Sequence, residues 1–319
     1  MYNFSVNRIT DDDIVIARSG KNKYVYLTKE NVETEDDYDD MIKEFYAYIN
    51  QKSLRLSNNS EINLKVAIRD NDIKLLSANE KKIYDAFMSY YKNSNKHLYS
   101  NDVLQLIPYY KYRGKQAQRD VLYISGASGV GKSYFISRYC LEFNKIFDKS
   151  PIYFLSAKNL KDEEDFDQVD NIKQIDIKDI DMLHNLVADG QSFAHFAHKS
   201  GFSLVIFDDA EGLSKEQQKY VDNIMESVVQ VGRSKGIYVI ISKHVLLNGQ
   251  KTKVIINECT KYVLFTESLN HYTITRFLKE YMGFDKAEIN QVKTSKSKYC
   301  IINKQVPKYL MFEHEIILN

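Results

Sequence analysis

The sequence predicts an α/β fold, a mainly parallel sheet with helices on both faces, joined to a small N-terminal α+β region. Short, nearly continuous apolar runs recur after residue 120, as in Val121–Ser125, Ser203–Asp208 and Ile237–Ser242. Runs of this kind are typical of strands buried on both faces of a parallel sheet. Stretches with apolar residues at helical spacing separate them. This alternation is the pattern of a sheet built from crossover connections.

The first part of the chain predicts a small domain and linker over residues 1–115, followed by the main domain over residues 116–319. Apolar residues at helical spacing predict a helix over Tyr38–Ile49. Ser77 and Glu80 have the spacing of a capping box and predict a second helix that ends near Lys92. Short apolar runs predict strands at 14–16, 24–27 and 64–68.

A basic and aromatic tract precedes the first strand of the main domain. It comprises Tyr109–Lys115 and is followed by Arg119. Aromatic rings and cations in such a tract can stack on an adenine base or contact a nucleic acid. A solvent-exposed linker into the first core strand would have the same composition, so both interpretations stay open.

The rest of the main domain is predicted from the same two periodicities. Ile152–Leu155 predicts a second core strand, and the acidic stretch 161–181 predicts a surface excursion around a short edge strand. Further helices are predicted over 180–198, 214–231, 271–282 and 286–292, and further strands over 262–266, 298–302 and 309–312.

The first core strand leads into a glycine-rich loop. Residues 126–133 read GASGVGKS and match G-x-x-x-x-G-K-[ST] at every fixed position. A predicted strand precedes the motif and a predicted helix follows it, which is the context of a phosphate-binding loop. Backbone N–H groups of such a loop point at phosphate oxygens, and the helix N-terminus adds partial positive charge. The alternative interpretation is a glycine-rich turn that binds no ligand. Such a turn would not need a match at every fixed position, so the complete motif favours the phosphate-binding loop.

The loop predicts a site for ATP with Mg²⁺. Lys132 is expected to reach the β- and γ-phosphates, and Ser133 is expected to bind Mg²⁺. The predicted nucleotide-binding residues are Gly126, Ala127, Ser128, Gly129, Val130, Gly131, Lys132, Ser133 and Tyr134.

Two aspartates end the apolar run at 203–208. An acid at this place in a phosphate-loop protein binds Mg²⁺, so Asp208 is predicted to bind the metal directly or through water. Asp209 is predicted to orient or deprotonate the attacking water. Ligands of such folds bind at the carboxyl ends of the strands. We therefore expect both aspartates to lie near Lys132, together with His244, which follows the strand at 237–242.

The composition of the chain limits the partners, metal sites and locations that are expected for it. The net charge of +1 argues neither for nor against nucleic acid, so any DNA contact would need a local positive patch. The three cysteines lie far apart, which predicts a reducing compartment and no metal site formed by them. No apolar run approaches the roughly 18 residues of a membrane helix, and the N-terminus is polar, so no membrane span or targeting peptide is expected.

Taken in order, the motifs GASGVGKS, LVIFDD and GRSKGIYVIISKH resemble those of the FtsK–HerA superfamily of pumping ATPases, and above all its viral genome-packaging branch. The tail segments KVIINECTKYVLFTES, TITRFLKEYMGFD and SKYCIINKQVP are similar to that branch as well. The resemblance runs from about residue 118 to residue 318, and the first 115 residues carry none. It implies a P-loop NTPase fold of the RecA/FtsK type.

The resemblance also implies an activity, partners and a location. The implied activity is ATP-driven translocation of double-stranded DNA of any sequence into a preformed capsid. The implied assembly is a homo-oligomeric ring, and a capsid or portal-vertex protein is a candidate partner. The implied location is the host cytoplasm or the virion, or the cytoplasm for a protein that is not viral.

Further site residues are implied by the superfamily. Arg233 stands where an arginine finger acts on the nucleotide of the neighbouring subunit. His244 stands at a polar sensor position that is usually Gln, with Lys243 as a competitor. Asp209 stands where the superfamily often has Glu and packaging ATPases commonly have Asp.

DNA of any sequence would be held through its phosphates, so lysines are the expected contacts. The candidates are Lys215, Lys219, Lys235, Lys251 and Lys253.

Other functions of a phosphate-loop protein have their own sequence features. A GTPase would need an N-K-x-D segment, and a small-molecule kinase would need a basic lid over the phosphates. Neither feature stands out in this sequence. Two alternatives stay open: a cellular or plasmid-borne pump of the same superfamily, and a switch or scaffold that binds ATP but moves nothing.

Overall fold

The computed structural model describes residues 2–6, 13–21, 23–29, 35–70, 72–94, 97–111, 118–188, 190, 192–199, 201–210, 212–247 and 249–318. Its strands are β1 (Tyr2–Ser5), β2 (Ile14–Ser19), β3 (Lys23–Lys29), β4 (His97–Tyr99), β5 (Leu104–Lys111), β6 (Val121–Ser125), β7 (Ile152–Ser156), β8 (Ile172–Asp176), β9 (Ser203–Asp208), β10 (Ile237–Lys243), β11 (Lys261–Leu264), β12 (Cys300–Asn303), β13 (Tyr309–Met311) and β14 (Glu315–Leu318). Its α-helices are α1 (Glu35–Gln51), α2 (Asn58–Asp70), α3 (Ala78–Ser94), α4 (Lys132–Ile146), α5 (Ile180–Val187), α6 (Ser192–Phe196), α7 (Lys215–Val231), α8 (Gly249–Glu258), α9 (His271–Phe277) and α10 (Lys286–Thr294).

The chain forms two compact units whose division differs from the predicted boundary at residue 115. The first unit contains residues 1–4 and 28–98, and the second contains 5–27 and 99–319. Strands β2 and β5 belong to the second unit because they pair with each other, antiparallel, and because Arg18 on β2 forms a 2.5 Å ion pair with buried Glu142 on α4. The sequence around these strands carries no local sign of such long-range pairing.

The first unit contains the three helices α1, α2 and α3. The predicted helix at 38–49 is confirmed within α1, and Ser77 and Glu80 form the predicted capping box at the start of α3. The predicted strand at 64–68 is wrong, because these residues lie in α2. Leu64, Ala67 and Ile68 are buried at helical spacing, so this short apolar run fits a helix face as well as a strand.

The predicted α/β fold with a mainly parallel sheet is confirmed in the second unit. Parallel pairing gives the order β11-β6-β10-β9-β7-β8, and the sheet continues beyond β11 through the antiparallel strands β12, β13 and β14. Helices cover both faces. On one face Phe143 of α4 packs against Tyr238 of β10, and on the other Val228 of α7 shares a core with Val239 of the same strand.

Several helix and strand predictions need correction. The helix predicted over 180–198 is two helices, α5 and α6, separated by a segment that contains Gly190 with φ 67°. The bounds of the helix predicted over 271–282 are confirmed, but only its first part, α9, is α-helical; its last turn, Leu278–Met282, is π-helical and ends at Gly283 with φ 71°. No element was predicted where strands β1, β4, β5 and β14 and helix α8 lie. None of the described helices is long and apolar enough to cross a bilayer.

Candidate nucleotide-binding site

The predicted phosphate loop connects the carboxyl end of β6 to the first turn of α4. Gly129 and Gly131 have φ 76° and 101°, the left-handed region that glycine adopts without strain. A Cβ atom at Gly126 would lie 2.7 Å from Cβ of Phe265, so only glycine fits at this position. The Ala127 N–H donates to the Ser268 hydroxyl at 3.1 Å. The loop therefore has the strand-to-helix position and the glycine conformations that the motif predicts.

Lys132 lies inside the loop instead of extending into solvent, with 8% of the residue exposed. Its ammonium group donates to the carbonyl oxygens of Gly126 at 2.7 Å and Ala127 at 2.8 Å. A third contact, of 3.2 Å, joins it to Nδ1 of His244. The loop carbonyls thus hold the positive charge at the centre of the phosphate loop, where a β- or γ-phosphate would meet it.

The two aspartates lie at the end of β9, beside the loop. Strand β9 runs parallel to β10, which in turn runs parallel to β6, so the carboxyl ends of all three strands share one edge of the sheet. Asp208 is the last residue of β9 and is 5% exposed. Asp209 turns away with φ 48°, a left-handed conformation that is uncommon for a residue other than glycine.

The electrostatic environment of Asp208 disfavours its charged form. Burial raises the pKa of Asp208 above its ordinary value, and the neighbouring Asp209 charge acts in the same direction. Lys132, Lys158 and the Ser242 hydroxyl offset part of this rise. The Ser242 hydroxyl is buried without a well-formed hydrogen bond among the described residues. A divalent cation at this carboxylate would favour the ionised form and would offset the cost of burial.

Asp209 is held by two donors, one on each carboxylate oxygen. Nε2 of His244 lies 2.8 Å from Oδ1, and the Lys158 ammonium forms an ion pair with Oδ2. Burial alone would raise the pKa of Asp209, but Lys158 and His244 together outweigh it, so the pKa lies below its ordinary value. Asp209 is therefore ionised and oriented near neutral pH.

The residue after β10 that faces the site is His244. Its ring contacts both Lys132 and Asp209, whereas the backbone carbonyl of Lys243 accepts the Gly126 N–H at 3.3 Å. Because an ammonium group can only donate, Nδ1 of His244 accepts from Lys132 and Nε2 carries the hydrogen that Asp209 accepts. These contacts make His244 a bridge between Lys132 and Asp209.

The donor set fits Mg²⁺ and a nucleoside triphosphate. Ser133 in the first turn of α4 and Asp208 at the end of β9 supply oxygen ligands, which Mg²⁺ prefers. The loop supplies backbone N–H groups and the Lys132 ammonium for phosphates. Tyr134, which follows Ser133, is 57% exposed and lies within 5.8 Å of the Arg138 guanidinium.

Comparison with known proteins identifies a relative. No protein-family model matches the chain. The uncharacterized protein V3 of Sputnik virophage is 30% identical over 203 residues, which are 61% of this chain and 76% of V3. This chain belongs to the family of V3.

Two solved structures resemble the chain at low identity. The genome packaging NTPase B204 of Sulfolobus turreted icosahedral virus 2, in complex with ATP-gammaS, is 16% identical with a TM-score of 0.39, over 61% of this chain and 96% of that chain. The cytoplasmic domain of the type VII secretion ATPase EccC of Thermomonospora curvata is 10% identical with a TM-score of 0.45, over 71% of this chain and 28% of that chain.

The motif order that indicated the FtsK–HerA superfamily is preserved in the fold. The phosphate loop follows β6, the acidic pair ends β9, and His244 follows β10, all at one edge of the parallel sheet. The fold thus keeps together the motifs on which the resemblance to that superfamily rests, and the family that the chain is shown to share is that of V3.

Arg233 is the one predicted catalytic residue that lies away from this edge. It is exposed on a short 3-10 helix, Gly232–Lys235, which precedes β10. The phosphate loop lies at the opposite end of that strand, so the seven residues of β10 separate Arg233 from Lys132 by about 20 Å. Arg233 therefore does not reach the nucleotide site of its own chain in this structure.

Lys158 is a site residue that the sequence motifs do not indicate. It lies two residues beyond β7, the strand next to β9, and its ammonium reaches Asp209. A signal was present, because a lysine that follows the carboxyl end of a buried strand lies at the ligand-binding edge of the sheet. The acidic stretch that follows Lys158 favoured a surface segment instead.

Arg119 does not serve the adenine or DNA contact considered for the basic and aromatic tract. It is 5% exposed, and its guanidinium donates to the carbonyl oxygens of Val228 at 3.0 Å and Val229 at 2.5 Å, near the end of α7. A third bond reaches the carbonyl of Ile237. Residues 112–115 of the tract lie outside the described residues.

Proposed function

We propose that this chain hydrolyses ATP to translocate double-stranded DNA, and that it thereby packages a viral genome into a capsid. The observation that carries the proposal is the meeting of Lys132, Asp208 and Asp209 at one edge of the sheet. A phosphate-binding cation, a metal-binding carboxylate and a second, oriented carboxylate are the groups that ATP hydrolysis requires. The proposed location is the host cytoplasm or the virion.

Each group has a separate task in the proposed reaction. Lys132 and the loop N–H groups bind the phosphates, and Ser133 and Asp208 would hold Mg²⁺. When bound, Mg²⁺ would neutralise charge that develops on the phosphate oxygens. Asp209 orients the water that attacks the γ-phosphate and accepts its proton or directs it onward.

A ring would explain the position of Arg233. Since Arg233 lies about 20 Å from its own site, at the other end of β10, it could assist hydrolysis only in a neighbouring subunit. An exposed arginine on a short helical turn is suited to that task because its guanidinium can reach across an interface. This position supports the proposed oligomer.

DNA contact is proposed for exposed lysines near the site. Lys215 and Lys219 are exposed on the first turns of α7, which follows the acidic pair. Lys235 is exposed near the opposite end of that helix, about 25 Å away along 17 residues. The side chains of Lys251 and Lys253 lie outside the described ones. We therefore assign the first DNA contacts to Lys215 and Lys219.

Salt dependence of duplex binding tests this proposal. The logarithm of the binding constant should fall by about 0.9 for each phosphate neutralised, per unit of log salt concentration, with little dependence on sequence. The double variant Lys215→Ala, Lys219→Ala should bind more weakly and with a slope smaller by about 1 to 2. Lys279→Ala with Lys286→Ala, two exposed lysines elsewhere, is the control and should keep the slope.

Each outcome of the binding experiment has a distinct meaning. An unchanged slope in the Lys215 and Lys219 variant would place the DNA path elsewhere. No binding of duplex DNA by the intact protein at low salt would contradict the translocase and favour an ATP-binding switch.

A further inference from the structure

We propose that Lys158 is a positioning residue for Asp209, and that it shares with His244 the task of fixing the carboxylate that orients the attacking water. The inference rests on the proposed ATPase function and adds a residue that the superfamily motifs did not indicate. Lys158 acts through Asp209 and does not contact the reacting atoms.

The contacts of Asp209 leave room for water. Lys158 bonds Oδ2 and His244 bonds Oδ1, so each carboxylate oxygen has one donor. A carboxylate has about four lone-pair sites, so each oxygen keeps acceptor capacity. Two donors on opposite oxygens fix the plane of the carboxylate, and with it the direction of the remaining lone pairs.

The backbone of Asp209 needs such support. Its φ of 48° is strained for a residue with a side chain, and strained conformations persist only where the surroundings hold them. Strand β7 supplies one such restraint, because Ser156 pairs with Asp208 and Lys158 follows two residues later. Lys158 is in turn oriented by Glu163, whose carboxylate lies 3.7 Å from its ammonium.

An ion pair that does not position Asp209 would respond differently to mutation from one that does. The Lys158 side chain is 50% exposed, and exposed ion pairs contribute little to folding stability. A purely structural pair would therefore be lost with little effect on either stability or turnover. A positioning pair would be lost with little effect on stability and a clear effect on turnover.

The test compares Lys158→Ala with Lys158→Arg. Lys158→Ala should lower kcat about tenfold or more while KM for ATP stays within about twofold, since the attacking water is misplaced but the nucleotide still binds. Lys158→Arg, which keeps a cation within reach of Asp209, should recover most of kcat. Lys161→Ala, at an exposed lysine three residues away, is the matched control and should behave as wild type.

A double variant separates this inference from the proposed function. Asp209→Asn should cut kcat by roughly 100-fold, and adding Lys158→Ala should cost little more, because the partner is already lost. If Asp209→Asn has that effect and Lys158→Ala leaves kcat unchanged or raises it, the positioning role is overturned while ATP hydrolysis stands. A wild-type protein without ATP turnover would overturn both.

Discussion

His244 and Asp209 are joined by a 2.8 Å hydrogen bond between Nε2 and Oδ1, and the other ring nitrogen of His244 lies 3.2 Å from the Lys132 ammonium. One imidazole therefore links the cation of the phosphate loop to the second carboxylate of the acidic pair. Movement of Lys132 toward a bound phosphate would change the contacts of this ring, and with them the hydrogen bond to Asp209. The resemblance to the FtsK–HerA superfamily places His244 at a position that is usually Gln.

Gln should replace His244 better than Ala does. A Gln amide can accept from Lys132 through its oxygen and donate to Asp209 through its nitrogen, which is the donor and acceptor order of the imidazole. We expect His244→Gln to keep kcat within about threefold and His244→Ala to lower it about tenfold or more. Steady-state ATP turnover measures both. Equal losses in the two variants would show that the link through this side chain is unimportant.

Lys132→Ala should abolish ATP turnover while the protein stays folded. Because Lys132 is buried and bonded to two loop carbonyls, a stability loss of about 1 kcal/mol per hydrogen bond is expected, which a folded domain tolerates. Turnover and denaturant unfolding are measured together, with Lys145→Ala on the same helix as the control. Turnover within about threefold of wild type would contradict the assigned role.

The core of the site could be predicted from sequence because its residues follow the strands that position them. Lys132 begins helix α4 and Asp208 ends strand β9, and the apolar residues of each element show its period in the sequence. Lys158 also follows a strand, but no motif contains it, and its role could not be assigned because its partner Asp209 is distant in sequence and their contact depends on the pairing of β7 with β9. The strand at 104–111 was missed for the same reason, because its pairing with β2 is long-range.

Arg233 should act on the site of a neighbouring subunit. Arg233→Ala alone should lose about 10³-fold in kcat, the scale of a lost arginine finger. Mixed with Lys132→Ala subunits, it should regain measurable turnover, because each variant supplies what the other lacks. Ser234→Ala, on the same exposed turn, is the control. Absence of rescue at every ratio, in oligomers shown to be mixed, would count against action between subunits.

The capping box of α3 should make the first unit sensitive to acid. The Ser77 N–H and hydroxyl, with other donors, lower the pKa of Glu80 from its ordinary 4.5 to about 2. A lowered pKa stabilises the fold above pH 4.5, and this contribution is lost as the pH falls from 4.5 toward 2. Glu80→Gln should therefore lower the Tm at pH 7 by more than it does near pH 2. Glu44→Gln, at an exposed position on α1, is the control. Equal Tm losses at both pH values would show that the ionised Glu80 carboxylate does not stabilise the first unit.

The most direct test of the motor is ATP turnover by the oligomer with and without linear double-stranded DNA at low salt. We expect duplex DNA of any sequence to raise kcat several-fold, the increase to fade as salt is added, and Lys132→Ala to show no turnover in either condition. Turnover that is the same with and without DNA, in oligomers shown to bind duplex, would contradict coupling of ATP hydrolysis to DNA translocation.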